Sequence, residues 1–333
     1  MDNEDSCGGE QRDSKQRTNH SLLYQSRCTD KFATFATIMV KASEIAKFLN
    51  KQITGEDCMV MTHSSLSSIQ PFSLVFAKKF SKEYVALLNS ACNVFAIVTP
   101  DYKNQIHCSH ILSETPRLDY LKTVERFFSP DNLLTGISPS ATIENDAVTG
   151  ADVFIGAHCY IGHNVKIGER TKILPNTTIM ENTIIGRECY ISSGVVIGQP
   201  GFGFERDENG RPVHFPHTGN VVIGNNVYIG ANTAIDKGTI DSTVIEDNVK
   251  IDNLVHVAHN VHICEGAFII AGTILGGGVR IGRNAWVAPN VSVKQQLNIG
   301  DNSTVGLGAV VIRDVGEDET VIGNPARKLE KLK

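Results

Sequence analysis

An aliphatic residue returns at every sixth position over much of this chain, and no other feature constrains the fold as strongly. This period fits neither the ~3.6 residues of an α-helical turn nor the heptad of a coiled coil. It is typical of a parallel β-helix, in which three hexapeptides form one coil of about 18 residues. The aliphatic positions are Ile137, Ile143, Ile155, Ile161, Ile167, Ile173, Ile179, Ile185, Ile191 and Ile197, then Ile223, Ile229 and Ile235, and then Ile245, Ile251, Val257, Ile263, Ile269, Leu275, Ile281, Val287, Val293, Ile299, Val305 and Val311.

The repeat is interrupted twice, by a long loop at residues 199–220 and by a shortened step between Ile235 and Ile245. Loops on a rigid scaffold commonly carry binding groups. The first interruption therefore nominates Phe202 as a binding residue. The second nominates Asp236 and Lys237, with the lysine as a partner for a phosphate. A purely structural role remains an alternative for both segments.

The chain divides into four parts by composition and periodicity. Residues 1–38 are polar and irregular, and we expect a disordered leader rather than a signal peptide, because an apolar h-region is missing. Residues 39–135 predict a small α/β domain, residues 136–312 the β-helix, and residues 313–333 a tail with a short basic helix. Within the α/β domain, helices are predicted at 42–50, 81–91 and 118–128, and strands at 72–80 and 93–100.

Composition excludes several classes of function. The net charge of −5 gives no support for nucleic acid as a ligand, and no apolar run reaches the ~18 residues of a membrane span. The eight cysteines are scattered without a CxxC pair, which argues against a metal or disulfide framework. We therefore expect free thiols and a cytoplasmic protein.

The stretch 249–263 carries the strongest candidates for chemistry. It contains His256, His259 and His262, but a flat coil spreads them over different hexapeptides, whereas zinc needs ligands that converge on one point. We therefore expect no metal and interpret His259 as a general base, since a histidine has an unperturbed pKa of about 6.5. Asp252 is the candidate that would orient His259. The alternative is that His259 is a solvated surface residue.

One coil after His259, the 18-residue period places Gly277, within the run Gly276–Gly278. A backbone N–H in such a run is unshielded and approachable, so it could stabilise the oxyanion of an acyl-transfer intermediate. The alternative is a simple corner, although a corner needs only one glycine.

At these residues the chain resembles the left-handed β-helix acyltransferases, and among them the UDP-3-O-acylglucosamine N-acyltransferases of lipid A biosynthesis. The matching motifs are "ASEIAKFL…SLSSIQPFSLVF" (42–76), "VVIGQPGFGF" (195–204), "AIDKGTIDSTVIEDNVKIDN" (234–253) and "VAHNV" (257–261). They are spread over most of residues 40–312.

The resemblance implies a specific site. His259 would deprotonate a sugar amine that attacks a thioester, Asp252 would orient it, and the Gly277 N–H would bind the oxyanion. Asn253 and His256 would contact the substrate, and Phe76 and Tyr84 would enclose the uracil ring. The resemblance also implies a homotrimer, a UDP-linked amino sugar as substrate, and an acyl carrier protein thioester or acyl-CoA as co-substrate, with no permanently bound cofactor.

Three departures leave alternatives open. The family's uracil-binding asparagine corresponds to Lys79, and its second histidine falls at about Gln296. The ending "AVVIRDVGEDETVIGNPARKL" resembles CoA-dependent sugar N-acetyltransferases, which implies acetyl-CoA as an alternative donor. An O-acyltransferase and a non-catalytic nucleotide-sugar-binding scaffold are the other hypotheses.

Overall fold

The computed structural model describes residues 39–129 and 134–329, and the chain forms two compact units, residues 1–132 and 133–333. The predicted leader at 1–38 lies outside the described residues. The predicted domain boundary at 135 lies three residues after the division between the units.

The first unit is an α/β fold around a five-stranded sheet, counted over its described residues. Its central strand, Phe95–Val98, is buried along its whole length, as expected for a parallel strand that is covered on both faces. The strands in sheet order are Ile53–Thr54, Ser109–Leu112, Phe95–Val98, Ser73–Ala77 and Thr62–His63, with Val40–Lys41 and Met59–Val60 forming a separate pair. The helices are Ala42–Phe48, Lys82–Ser90 and Pro116–Thr123, with a 3₁₀ turn at Pro100–Tyr102 and a π-helical turn at Val124–Phe128.

The second unit is a left-handed parallel β-helix, which confirms both the parallel β-helix predicted from the hexapeptide period and the left-handed sense implied by the resemblance. Within the described residues its short strands stack into three sheets, named here the first, second and third faces. The first face contains Gly136–Ile137, Phe154–Ile155, Lys172–Ile173, Tyr190–Ile191, Tyr228–Ile229, Lys250–Ile251, Phe268–Ile269, Trp286–Val287, Thr304–Val305, Thr320–Ile322 and Arg327–Lys328. The second contains Thr142–Ile143, Tyr160–Ile161, Thr178–Ile179, Val196–Pro200, Ala234–Lys237, His256–Val257, Ile274–Leu275, Ser292–Val293 and Val310–Val311. The third contains Val148–Thr149, Lys166–Ile167, Ile184–Ile185, Val221–Ile223, Thr243–Ile245, His262–Ile263, Arg280–Ile281 and Asn298–Ile299.

The aliphatic residue of each hexapeptide points into the prism and stacks on its counterparts in the neighbouring coils. Ile161, for example, pairs with Ile143 on one side and Ile179 on the other, and it is completely buried. Because each coil covers only its neighbours, the core is one continuous column of aliphatic side chains.

Asparagine and glycine have different roles at the corners. The left-handed backbone conformation falls three residues after the aliphatic position, as at Asn164 (φ 55°) and Asn260 (φ 60°). Glycines directly after the aliphatic residue serve another purpose, because a Cβ at Gly156 would lie 2.6 Å from the backbone nitrogen of Pro175. Their role is close approach between coils rather than a positive φ.

Both interruptions of the repeat are excursions from the second face. The first extends the strand Val196–Pro200 and then forms a hairpin, in which Phe204–Arg206 pairs antiparallel with Pro212–His214. The second widens the corner after Ile235, yet the stacking of Ile235 on Val257 is retained. The prism therefore continues past both insertions, and the inserted residues lie outside it.

The predicted C-terminal helix is wrong for residues 313–329. Thr320–Ile322 instead adds a strand parallel to Thr304–Val305, and Arg327–Lys328 turns back antiparallel to it. The reason is that Val321 is buried on the last coil, which continues the aliphatic column. In the part of the chain that the structure describes, no helix is long and apolar enough to cross a membrane.

Candidate acyl-transfer site

His259 lies at the corner that follows the second-face strand His256–Val257, and Gly277 lies directly above it in the next coil. The backbone carbonyl of His259 accepts a hydrogen bond of 2.9 Å from the N–H of Gly278. A Cβ added at Gly277 would lie 2.7 Å from both Cε1 and Nε2 of the His259 ring. The structure thus brings together the two residues that the 18-residue period predicts to be neighbours.

A cavity of about 350 Å³ opens over this pair. The regular coils contribute His259, Gly277, Gln295 and Gln296, while the two interruptions contribute the remaining walls. Phe202, predicted to be a binding residue, is 90% exposed at the cavity. The lining residues are Phe202, Gly203, Phe204, Glu205, Phe215, Thr239, His259, Gly277, Gln295 and Gln296.

The tautomer of His259 follows from its neighbour Asn260. The amide oxygen of Asn260 accepts a 3.0 Å hydrogen bond from the backbone N–H of Thr239, and it also contacts the Thr239 hydroxyl at 2.9 Å. Because a backbone N–H only donates, this atom of Asn260 is the oxygen. His259 Nδ1 lies 3.0 Å from the same oxygen and must therefore donate to it, which leaves the lone pair on Nε2, facing Gly277. Sequence reasoning missed Asn260 and Thr239 as the orienting residues.

Within one chain, the recorded partners of Asp252 do not include His259, so the predicted role of Asp252 in orienting His259 stays a prediction. The Asp252 carboxylate accepts hydrogen bonds from the backbone N–H groups of Asn253 (2.8 Å) and Ala271 (3.3 Å). Asp252 follows a first-face strand, whereas His259 follows a second-face strand. Asp252 and His259 are seven residues apart in the chain, and a corner of the prism lies between them. Their side chains are therefore not side by side on one face.

Asp236 is the carboxylate that the structure brings close to the histidines. Its Oδ2 lies 3.9 Å from Nε2 of His256, and burial raises the pKa of Asp236, although His256 and His259 both act to lower it. The side chain of Asp236 is almost fully buried.

Two other predicted substrate ligands are already engaged within the chain. Lys237 is buried, and its Nζ lies 2.7 Å from Oε1 of Glu181, so this contact does not support the predicted role as a phosphate partner. The side chain of Asn253 accepts a 2.7 Å hydrogen bond from the backbone N–H of Ala231 at an exposed corner.

The loop 198–219 covers one side of His259. A Cβ added at Gly201 would lie 3.0 Å from Cβ and Cδ2 of His259 and 3.0 Å from Nε2 of His217. The rings of His217 and His259 have centroids 5.4 Å apart at an interplanar angle of 73°. His217 is buried, and burial lowers its pKa. His217 was also missed from the sequence, because an irregular loop offers no period that would place it.

The histidines of the stretch 249–263 do not converge. His256 lies on the second face and His262 on the third. His262 does lie near Glu246 and Cys264, within reach of a common ion. However, its Nε2 contacts Glu246 at 2.6 Å and its Nδ1 accepts from Arg280 at 3.0 Å, so we assign no metal to this group.

The first unit has a cavity of its own, of about 370 Å³. Phe76 and Tyr84, the predicted uracil-binding aromatics, both line it. Lys79 lines the same cavity, and its backbone carbonyl accepts a 2.7 Å hydrogen bond from the Tyr102 hydroxyl.

Comparison with known families matches the β-helix to hexapeptide repeats. The family described as bacterial transferase hexapeptide (six repeats) matches residues 146–179 and 164–199. The hexapeptide repeat of succinyl-transferase matches residues 220–257. These matches include the second interruption and end two residues before His259.

Two relatives and one solved structure extend the likeness. The chain is 37% identical over 203 residues to the UDP-3-O-acylglucosamine N-acyltransferase of Syntrophobacter fumaroxidans, covering 55% of this chain and 56% of that protein. It is 33% identical over 208 residues to the enzyme of the same name from Coxiella burnetii, covering 55% of this chain and 59% of that protein. The match thus spans less than two thirds of either relative.

The solved structure is the UDP-N-acetylglucosamine O-acyltransferase of Moraxella catarrhalis. It superposes with a TM-score of 0.53 at 27% identity, over 58% of this chain and 73% of that one. Together these comparisons confirm the resemblance to hexapeptide-repeat acyltransferases that the motifs predict.

Proposed function

We propose that this protein is an N-acyltransferase that moves an acyl group from a thioester to the amine of a UDP-linked amino sugar. The observation that carries the proposal is the placement of a histidine with a free Nε2 lone pair against the backbone of Gly277 in one cavity. A base and an oxyanion donor within reach of one reacting carbon are what acyl transfer requires. The named relatives support the same reaction class.

The reaction follows from these positions. The amine nitrogen attacks the thioester carbonyl carbon, and the carbonyl oxygen becomes an oxyanion that accepts from the Gly277 N–H. His259 Nε2 takes a proton from the nitrogen, while its Nδ1–H stays anchored on Asn260. When the intermediate collapses, the C–S bond breaks and the imidazolium returns the proton to the thiolate. Asp236 stabilises the imidazolium while it exists.

Each unit has its own predicted substrate ligands. Phe76 and Tyr84 would hold the uracil ring between aromatic faces in the cavity of the first unit. In the second unit, His256 and the exposed ring of Phe202 would contact the sugar or its acyl chain. Asn253 and Lys237 remain weaker candidates because both are engaged within the chain.

The donor would be an acyl carrier protein thioester or acyl-CoA, used as a co-substrate without a permanently bound cofactor. We also propose a homotrimer in which the loop 199–220 folds over a pocket shared between subunits, as the family resemblance implies. A monomer at micromolar concentration with full activity would contradict this arrangement. We further propose a cytoplasmic location, supported by the resemblance and by the free cysteines of the described residues; cell fractionation tests it.

The experiment that tests the function offers two donors to the purified full chain with UDP-3-O-acylglucosamine as acceptor. Acetyl-CoA and a 3-hydroxyacyl carrier protein are supplied separately, and N-acylated sugar is detected by mass spectrometry. Product with one donor identifies that donor. Binding of the UDP-sugar without product from either donor would instead identify a nucleotide-sugar-binding scaffold.

O-acyl transfer is the second candidate, and the likeness to the Moraxella catarrhalis O-acyltransferase favours it. The same base and oxyanion donor would serve a hydroxyl nucleophile equally well. Parallel assays with the amino sugar and with its 2-hydroxyl counterpart, UDP-3-O-acylglucose, separate the two reactions.

A further inference from the structure

His217 carries a buried nitrogen whose hydrogen-bonding capacity is unused. Its Nδ1 lies 2.8 Å from the backbone carbonyl oxygen of Phe215. A carbonyl only accepts, so Nδ1 must carry the proton and Nε2 must carry the lone pair. The residue is 7% exposed, and Nε2 is buried without a hydrogen-bond partner among the described residues.

A buried acceptor without a hydrogen-bond partner is uncommon and destabilising, which calls for an explanation. Here the atom lies beside the candidate site. The two glycines that cover it, Gly201 and Gly203, have no side chains, and a Cβ at Gly203 would lie 2.8 Å from Cε1 of His217. Gly203 also lines the cavity over His259. The segment 201–203 therefore lies between Nε2 and the cavity, so contact between Nε2 and a molecule in the cavity requires this segment to move aside.

The site then has two hydrogen-bond acceptors of the same kind, Nε2 of His259 and Nε2 of His217. Asn260 holds His259 as the tautomer with a free Nε2, and Phe215 holds His217 in the same state. The rings are neighbours, with centroids 5.4 Å apart. A nucleophile that donates two hydrogens satisfies both lone pairs, whereas a nucleophile with one hydrogen leaves one lone pair without a partner.

We propose that Nε2 of His217 accepts the second N–H of the attacking amine, and that this contact selects an amine over a hydroxyl as the acyl acceptor. The inference rests on the proposed acyl transfer and names the acceptor class. When the C–N bond forms, the nitrogen carries two hydrogens: His259 removes one, and His217 accepts a hydrogen bond from the other. The C–S bond then breaks, the thiolate takes the proton from His259, and the amide N–H of the product remains on His217.

A hydroxyl acceptor behaves differently in the same cavity. After its attack the oxygen has one hydrogen, which His259 removes, and the product ester has none. His217 Nε2 would then face oxygen lone pairs, and a buried polar group left without its partner is what makes such sites discriminate.

Two substitutions of His217 distinguish the acceptor atom Nε2 from the hydrogen bond that anchors the side chain on the Phe215 carbonyl. In His217→Asn the side-chain amide N–H can still donate to the Phe215 carbonyl, but no atom reaches the position of Nε2. In His217→Gln the side-chain oxygen can reach that position, while the anchor on Phe215 is lost. Thermal melts of both variants check that the fold is retained.

The measurement is kcat/KM for UDP-3-O-acylglucosamine and for UDP-3-O-acylglucose with the same donor. For His217→Asn we expect the ratio of kcat/KM for the amine to kcat/KM for the hydroxyl to fall at least tenfold. For His217→Gln we expect most of the preference for the amine to return. Equal losses with both acceptors, or no loss with either, would overturn the proposal.

A binding measurement keeps this inference separate from the proposed function. Isothermal titration of both UDP-sugars into the unmodified protein and into His217→Asn reports the preference without turnover. If no donor supports transfer, the proposed function fails, and the titration alone decides the inference. Retention of the full amine preference in His217→Asn would contradict it.

Discussion

Two corners of the second face carry the same dipeptide, His163-Asn164 and His259-Asn260, and they differ in nearly everything around it. Both asparagines have the left-handed conformation, with φ of 55° and 60°. At the first corner both ring nitrogens face carboxylates, with Nδ1 3.0 Å from Asp146 and Nε2 3.5 Å from Glu144. At the second corner Nδ1 faces an amide, and Nε2 faces a glycine and a cavity.

The difference between the surroundings of His163 and His259 shows which neighbours make a coil corner a candidate site. The hydrogen bond with Asp146 and the charge of Glu144 raise the pKa of His163, whose ring is exposed at the surface. One coil above it, the 18-residue period places Glu181, whereas above His259 it places Gly277. Thr239, Asp236 and the covering loop come from the two insertions, and the described structure has no such insertion at the first corner.

The largest expected effect comes from replacing each histidine by glutamine. His259→Gln should lower kcat on the order of 10²–10⁴-fold, because general-base catalysis is lost. His163→Gln should change kcat less than twofold, since its ring is exposed and both nitrogens face carboxylates. Steady-state assays of both variants are the measurement. Loss of activity in His163→Gln, or its retention in His259→Gln, would remove the distinction between the corners.

The second effect tests the space above His259. In Gly277→Ala the three atoms nearest to the new Cβ all belong to the imidazole ring of His259. We therefore expect the ring to be displaced and kcat/KM to fall by about 10–100-fold, with little change in melting temperature. In Gly276→Ala the Cβ would lie 2.6 Å from the backbone nitrogen of Gln295, so the melting temperature itself should fall. A Gly277→Ala enzyme with normal kcat/KM would show that the ring does not act from its present position.

The third effect concerns the asparagines of the two corners, Asn260 and Asn164. Asn260→Gly keeps the backbone freedom of the corner but removes the acceptor for His259 Nδ1, so activity should fall by about tenfold. Asn260→Asp keeps an acceptor oxygen and should retain most of the activity. Asn164→Gly is the matched control at the first corner and should leave activity unchanged. Equal effects of both glycine variants would mean that Asn260 serves only the backbone.

What the sequence could predict follows from where each residue lies. The position of Gly277 over His259 was predictable, because an 18-residue coil without insertions repeats its geometry. The coil period gives no such placement for Asp252, because a corner of the prism lies between it and His259, seven residues later. His217 and Thr239 lie in insertions, which only the folded chain positions. The adjacent Asn260 was the one orienting residue that the dipeptide itself could have suggested.

The smallest effect is a difference in pH dependence between the two corners. The pKa of His163 is raised, so its stabilising contribution is present below the unfolded value of about 6.5 and is lost as pH rises through the folded pKa. Burial, with the charges of His259, His214 and Lys237, lowers the pKa of His217, so its contribution is present above about pH 6.5 and is lost as pH falls through the folded pKa. Hydrogen exchange between pH 8 and pH 5 should therefore show the loop 198–219 losing protection on acidification, while the corner around His163 gains it. In His217→Asn the loop should lose most of this pH dependence; if its exchange follows the unmodified protein, the neutral state of His217 does not hold the loop over His259.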